Sequence, residues 1–228
     1  MNKENRIVHG RKKGTFCLVG GMLLIAAAFF LTLFNIYDSM RAERDAGGIL
    51  HELEKEMEER LSADSFDHSG TSDGRDDQVR ADYELFPDKE MPVIEVDGIW
   101  YIGILEIPVL DMKLPVTEEW SYANLRESLC CYSGSLYQDD LVIAGHNYRR
   151  FFRNLNHLAP GTEIRFTDVE GNVFFYQAAW TEVLESDEGK EMTMASDDWD
   201  LTLFTCTYGG RQRMAVRCVK KEGSDKSD

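Results

Sequence analysis

The residues best suited to covalent chemistry in this chain are a cysteine and a histidine, each at the end of an apolar run. In residues 201–206, Leu-Thr-Leu-Phe-Thr-Cys, a β-branched and apolar stretch delivers Cys206 to a strand's end, just before the turn-like Thr207-Tyr208-Gly209-Gly210. A thiol placed there can face a cleft, and as the thiolate it is a nucleophile for an acyl carbon. Residues 213–219 read as the return strand of a hairpin that turns near Gly209-Gly210, which sets Cys206 opposite Arg213. A guanidinium beside a thiol favours the thiolate, and it can donate hydrogen bonds to an oxyanion or to substrate carbonyls.

Three arginines compete for that place, and strand geometry separates them. Arg217 shares a face with Arg213 but lies four residues, roughly 13 Å, further along the strand, while Arg211 falls in the loop. Upstream, the apolar strand Leu141-Val142-Ile143-Ala144 ends in Gly145-His146-Asn147. There an imidazole can reach a neighbouring strand end and act as acid and base near neutral pH. Asn147 is a candidate for orienting the ring, and Thr205, next to the thiol, for binding substrate. Cys206 alone reads as a packed strand residue and His146 alone as a structural one; their conjunction with Arg213 is what points to chemistry.

The remaining cysteines, Cys17, Cys130, Cys131 and Cys218, form no CxxC pair of the kind a zinc or thioredoxin-like centre needs. They read as packed residues, Cys17 within an apolar segment and Cys218 within a strand. His68 and His157 read as inert, one in a linker and one on a helix surface. Acidic residues outnumber basic ones 41 to 25, for a formal charge of −16, which excludes nucleic acid as a partner.

Positioning these side chains requires short strands. Runs at 100–107, 140–144, 162–167, 172–183, 201–205 and 214–219 have β-type composition, and turns between them imply a barrel or sandwich. Helices are expected at 122–129 and 149–158, the latter from Phe152, Leu155 and Leu158 at spacings of three and its stop at Pro160-Gly161. No repeat is visible.

Ahead of this domain, residues 15–37 carry no charge and are long enough for a transmembrane helix rather than a cleaved signal peptide. Lys3, Arg6, Arg11, Lys12 and Lys13 precede the span, so residues 1–14 are expected to form a cytoplasmic tail, with everything after the span outside the cell. Residues 38–62 read as a juxtamembrane helix interrupted at Gly47-Gly48. Its weak stripe of Leu50, Leu53, Met57 and Leu61 suits a solvated spacer better than a partner-binding stalk. Residues 63–97 are expected to be a flexible linker, its Ser/Asp/Gly-rich part ending near 80; residues 98–221 are expected to be the single catalytic domain and 222–228 a disordered tail.

The segments AGHN at 144–147, LTLFTCT at 201–207 and RMAVRC from Arg213 resemble the active-site signatures of sortases, in the same order. The resemblance extends through 102–108, 114–116 and 151–155, covering roughly residues 98–221. It implies a mainly β fold: an eight-stranded β-barrel with a few short helices, here behind one N-terminal transmembrane helix. It also implies a cysteine transpeptidase that cleaves an LPxTG-like sorting signal of a secreted protein through a thioester. A peptidoglycan-precursor amine or a pilin lysine then releases the acyl group. Cys206 would be the nucleophile, His146 the general acid/base and Arg213 the group that holds substrate and stabilises the tetrahedral intermediate. The N-terminal anchor and the short Cys-to-Arg connection look most like class B or a related group. No cofactor is implied. Some sortases use calcium, and the acidic residues 185–200 have the composition to attract it, but a solvated loop is the reading we adopt. A peptidase that passes the acyl group to water, or an inactive wall-binding barrel, are the alternatives.

Overall fold

The structure, a computed structural model, describes residues 4–67, 82–185, 189–207 and 209–221. It forms two compact units, Met1–Arg41 and Ala42–Asp228. In the first, Leu18–Asp38 is helical, exposed, and long and apolar enough to cross a membrane.

Nine strands build the second unit: β1 (Ile94–Val96), β2 (Ile99–Ile107), β3 (Met112–Thr117), β4 (Leu129–Ser133), β5 (Leu141–Ala144), β6 (Glu163–Asp168), β7 (Val173–Glu185), β8 (Leu201–Cys206) and β9 (Gln212–Lys220). Eight of them close a barrel in the order β2-β3-β4-β5-β8-β9-β7-β6, because β6 pairs back onto β2. β1 is an annex, a hairpin partner of the first residues of β2 through the two-residue Asp97-Gly98 turn. Both turn residues have positive φ, 51° and 80°, as such a turn requires. At Gly103 strand β2 passes from β1 to β6; a Cβ there would stand 2.2 Å from the carbonyl oxygen of Thr167, so only glycine allows the approach.

Three strands escape the composition reading. β1 and β4 are short, and β3 carries Pro115, which argues against a strand paired on both sides. Both expected helices shrink to 3-10 turns, Asn124–Arg126 and Phe152–His157. The spacing of three between Phe152, Leu155 and Leu158 is that of a 3-10 helix, and all three side chains are buried.

The barrel interior is filled by alternate residues of the strands, among them Ile102, Leu105, Val116, Ile143, Phe166, Tyr176, Leu203 and Val216. A second apolar cluster lies outside the barrel wall, where Cys130, Val142, Ala144, Phe204 and Ala215 meet Leu125, Leu184 and Met192.

The helix α1 (Glu4–Asp67) corrects two expectations. It runs through Gly47-Gly48 without a break. Its stripe is no solvated spacer: Ala46, Leu53 and Met57 are buried, with Leu53 and Met57 packed against Ile94, Val96, Tyr101, Ile104 and Val169. Lys113 ties Glu54 of this helix (2.7 Å) to Glu106 of β2 (3.0 Å), and Arg60 donates to the carbonyl of Val93. Part of the expected linker is also folded. Tyr83 in the short helix α2 (Asp82–Leu85) stacks on Tyr137 at 4.9 Å, and Met91 sulfur accepts the Leu136 amide. Residues 68–81, with His68, and the tail 222–228 lie outside the described residues.

Candidate active site

Three neighbouring strands, β5, β8 and β9, carry the candidate residues to one end of the barrel wall. β5 runs parallel to β8 in the register Val142↔Thr202, Ala144↔Phe204, and the Gly145 amide extends it by donating to Phe204 at 3.0 Å. His146 follows directly after Gly145, just past the end of β5, as Cys206 ends β8 two residues after Phe204. β9 returns antiparallel, pairing Thr202↔Arg217, Phe204↔Ala215 and Cys206↔Arg213. Since Val142, Ala144, Phe204 and Ala215 belong to the outer cluster, strand alternation puts Cys206 and Arg213 on that outer face, and His146 follows two residues after Ala144, just past the end of β5. The hairpin expectation for Cys206 and Arg213 holds residue for residue.

Thr205 does not join them. Its alternation partners Leu201 and Leu203 fill the barrel, so its hydroxyl faces inward, 4% exposed and without a hydrogen-bond partner in the described structure.

Local packing fixes the histidine strand end. Gly145 lies against Phe152 and Leu129, where an added Cβ would come within 2.5 Å of the Phe152 ring. The His146 carbonyl accepts the Phe152 amide at 3.1 Å, and the His146 and Tyr148 rings lie 4.8 Å apart. Asn147 does something other than orient the ring. Its Nδ2 donates to the Cys206 carbonyl at 3.0 Å, clamping the loop after β5 to the end of β8. Such a clamp has no local sequence signature, because its partner is 59 residues away.

Arg213 Nη1 donates to the carbonyls of Gly210 (3.0 Å) and Gln212 (3.2 Å), so the β8–β9 turn holds the guanidinium. Arg217, the competitor on the same face, is fully committed elsewhere. It is 1% exposed, pairs with Glu182 at 2.6 Å, and donates to Thr202 Oγ1 and to the carbonyls of Glu191 and Met192; Trp199 lies over it at 4.3 Å. It therefore fastens the β7–β8 connection, including the helix α3 (Gly189–Thr193), over the outer face. Sequence reasoning missed this role.

The other described thiols are held protonated. Burial pushes Cys131 up to about 11, helped by its neighbouring thiol Cys130, with which it would share charge, and by the Glu118 and Asp140 carboxylates. Burial likewise raises Cys130 and, furthest, Cys218. Cys206 is a free, half-exposed thiol at a strand end with a guanidinium directly across. Beside the face runs an aromatic series: Phe204 against Tyr132 (5.1 Å), Tyr132 against Trp120 (6.0 Å), and Trp120 against Tyr122 (4.9 Å). Its outer members are exposed. Among the described residues no three His, Cys, Asp or Glu side chains converge as a metal site would require.

A closed barrel of this topology with a cysteine, a histidine and an arginine on adjoining strand ends defines a class, and comparison with known proteins names it. A family model described as the sortase domain matches residues 105–221, and the chain belongs to the sortase family. Sortase D of Bacillus subtilis (strain 168) is 30% identical over 107 residues, which cover 46% of this chain and 53% of that protein; the chain thus matches about half the length of this relative. A Clostridium perfringens sortase D5 transpeptidase superposes with a TM-score of 0.54 at 18% identity, covering 78% of this chain and 99% of its own. Sortase C1 of Streptococcus agalactiae gives 0.51 at 22% identity, covering 76% and 90%.

Proposed function

We propose that this chain is a membrane-anchored cysteine transpeptidase that cleaves an LPxTG-like sorting signal and transfers the acyl part to an amine of the cell wall or of a pilin. The observation that supports the reading is the register of β5, β8 and β9: Cys206 pairs with Arg213, and His146 follows two residues after Ala144, the β5 partner of Phe204. The Cys206 thiolate attacks the carbonyl carbon of the Thr-Gly bond, and the resulting oxyanion is stabilised by Arg213. As the C–N bond breaks, His146 gives its proton to the leaving amine, and the acyl group remains as a thioester. The acceptor amine then attacks that carbon and loses a proton to His146, and the C–S bond breaks to restore the thiolate. Apolar side chains of the outer cluster and the exposed aromatic series suit the Leu-Pro part of such a signal. The apolar helix Leu18–Asp38, with its basic N-terminal flank, supports an anchor whose N-terminus is cytoplasmic and whose barrel is outside.

The test is mass spectrometry of the full chain in detergent, incubated with a sorting-motif peptide library and an amine acceptor, beside Cys206→Ala. Ligated peptide that requires Cys206 is the expected result. Hydrolysis alone would make the protein a peptidase, and neither thioester nor turnover would leave a barrel that binds without reacting.

A further inference from the structure

The peptide unit that joins Cys206 to Thr207 is held from both sides. Its N–H, on Thr207, donates to the Gln212 carbonyl of β9 at 2.9 Å, and its carbonyl, on Cys206, accepts Asn147 Nδ2 at 3.0 Å. The second contact has a regular place in the sheet. Along a parallel ladder the successive donors of one strand lie two residues apart, and so do the carbonyls that receive them. The Gly145 amide donates to the Phe204 carbonyl at 3.0 Å, so the next rung of that series runs from residue 147 to the carbonyl of residue 206. Asn147 supplies that rung from its side chain.

A rung made by a side chain lets the backbone leave the sheet early. Directly after Gly145 the chain folds into its turn: the His146 carbonyl accepts the Phe152 amide at 3.1 Å, and the Tyr148 carbonyl accepts the amides of Phe151 (3.1 Å) and Arg153 (3.2 Å). β5 therefore ends at Ala144 while β8 stays fastened as far as Cys206. The amide has one useful orientation. Turned over, its oxygen would face the Cys206 carbonyl, acceptor against acceptor. As placed, Oδ1 is buried and has no hydrogen-bond partner in the described structure. A leucine would fill a similar space without stranding an oxygen, so packing alone does not call for an amide here; the Nδ2 donor does.

We infer that Asn147 is a positioning residue for the nucleophile. By holding the Cys206 carbonyl it fixes the backbone from which the thiol projects, and so keeps the sulfur in its place across from Arg213. This rests on the transpeptidase reading above, in which Cys206 attacks the sorting peptide. Asn147 acts through Cys206 and takes no part in proton transfer.

The experiment is quenched-flow mass spectrometry of thioester formation on the full chain in detergent, using the peptide of the sorting-motif library that wild type cleaves fastest. Asn147→Leu is expected to slow thioester formation at saturating peptide about 30-fold. The half-saturating peptide concentration should change by less than about twofold, and the melting temperature by no more than about 4 °C. Asn147→Asp keeps the shape but sets an acceptor against the carbonyl, and should be at least as slow. Asn147→Gln keeps the donor and should be at least about fivefold faster than Asn147→Leu. An unchanged rate in Asn147→Leu or Asn147→Asp, or a loss that lies in the half-saturating concentration, overturns the positioning role. So does a slower rate that falls in step with the melting temperature and that Asn147→Gln does not relieve. Absence of a thioester on wild-type Cys206 with every peptide of the library overturns the transpeptidase reading, and this inference with it.

Discussion

Cys206, Arg213 and His146 depend on different neighbours, so their substitutions should separate. Arg213→Lys keeps a charge but loses the planar fork across from Cys206. It is expected to lower kcat about 100-fold with a smaller change in peptide KM, measured by initial rates on a fluorogenic sorting peptide. Gly145→Ala should destabilise the fold by about 2 kcal/mol, because its methyl group would press on the Phe152 ring; a thermal melt reads this directly. The thiols provide a pH test. Raised to about 11, Cys131 is protonated at pH 7, and its thiolate fraction grows about tenfold per pH unit until that range is reached. Alkylation followed by peptide mapping should therefore modify Cys206 first at pH 7, with Cys131 labelling rising steadily toward high pH. Labelling of Cys131 at a pH-independent rate would contradict the burial that holds its proton.

Among the elements, the β7–β8 connection depends on one side chain. Arg217, itself buried, joins β9 to Glu182 of β7, Thr202 of β8, the α3 carbonyls and Trp199. Arg217→Ala strands a carboxylate and two carbonyls, at a cost of about 3 kcal/mol. It should also raise the KM for sorting peptide, since the connection covering the outer face is released. Loss of stability with an unchanged KM would mean that this connection does not contact the peptide. The helix α1 has a comparable dependence on Leu53, which is fully buried against β1 and β2. Leu53→Ala should cost about 3 kcal/mol and lower the melting temperature by roughly 10 °C.

At the scale of the whole molecule, residues 42–228 form one compact unit that includes the C-terminal part of α1 with its buried stripe of Leu53 and Met57. A chain beginning at Ala42 should be soluble and fold cooperatively, whereas one beginning at Asp82 loses the Leu53 and Met57 contacts and should melt markedly lower. Circular dichroism melts of the two chains distinguish this from a helix that merely spans distance. At the end of the sheet, β1 is only three residues long, too short to template another strand.

The sequence by itself determined what lies close along the chain. Runs of β-type composition marked six strands, the uncharged stretch marked the apolar helix, and the turn at Gly209-Gly210 was enough to align Cys206 with Arg213, because a hairpin's register follows from its turn. Tertiary structure decided whatever depends on partners far away in sequence. Whether the stripe of Leu53 and Met57 is buried depends on β1 and β2 being there to cover it. Distance along the strand already set Arg213 rather than Arg217 opposite the thiol, but only the packing of Glu182, Met192 and Trp199 gives Arg217 its structural role. The strand that leads to His146 meets the strand that ends in Cys206 through a parallel pairing across sixty residues, Ala144 with Phe204. No local pattern encodes such a pairing, because its stability comes from the barrel closing around a shared core.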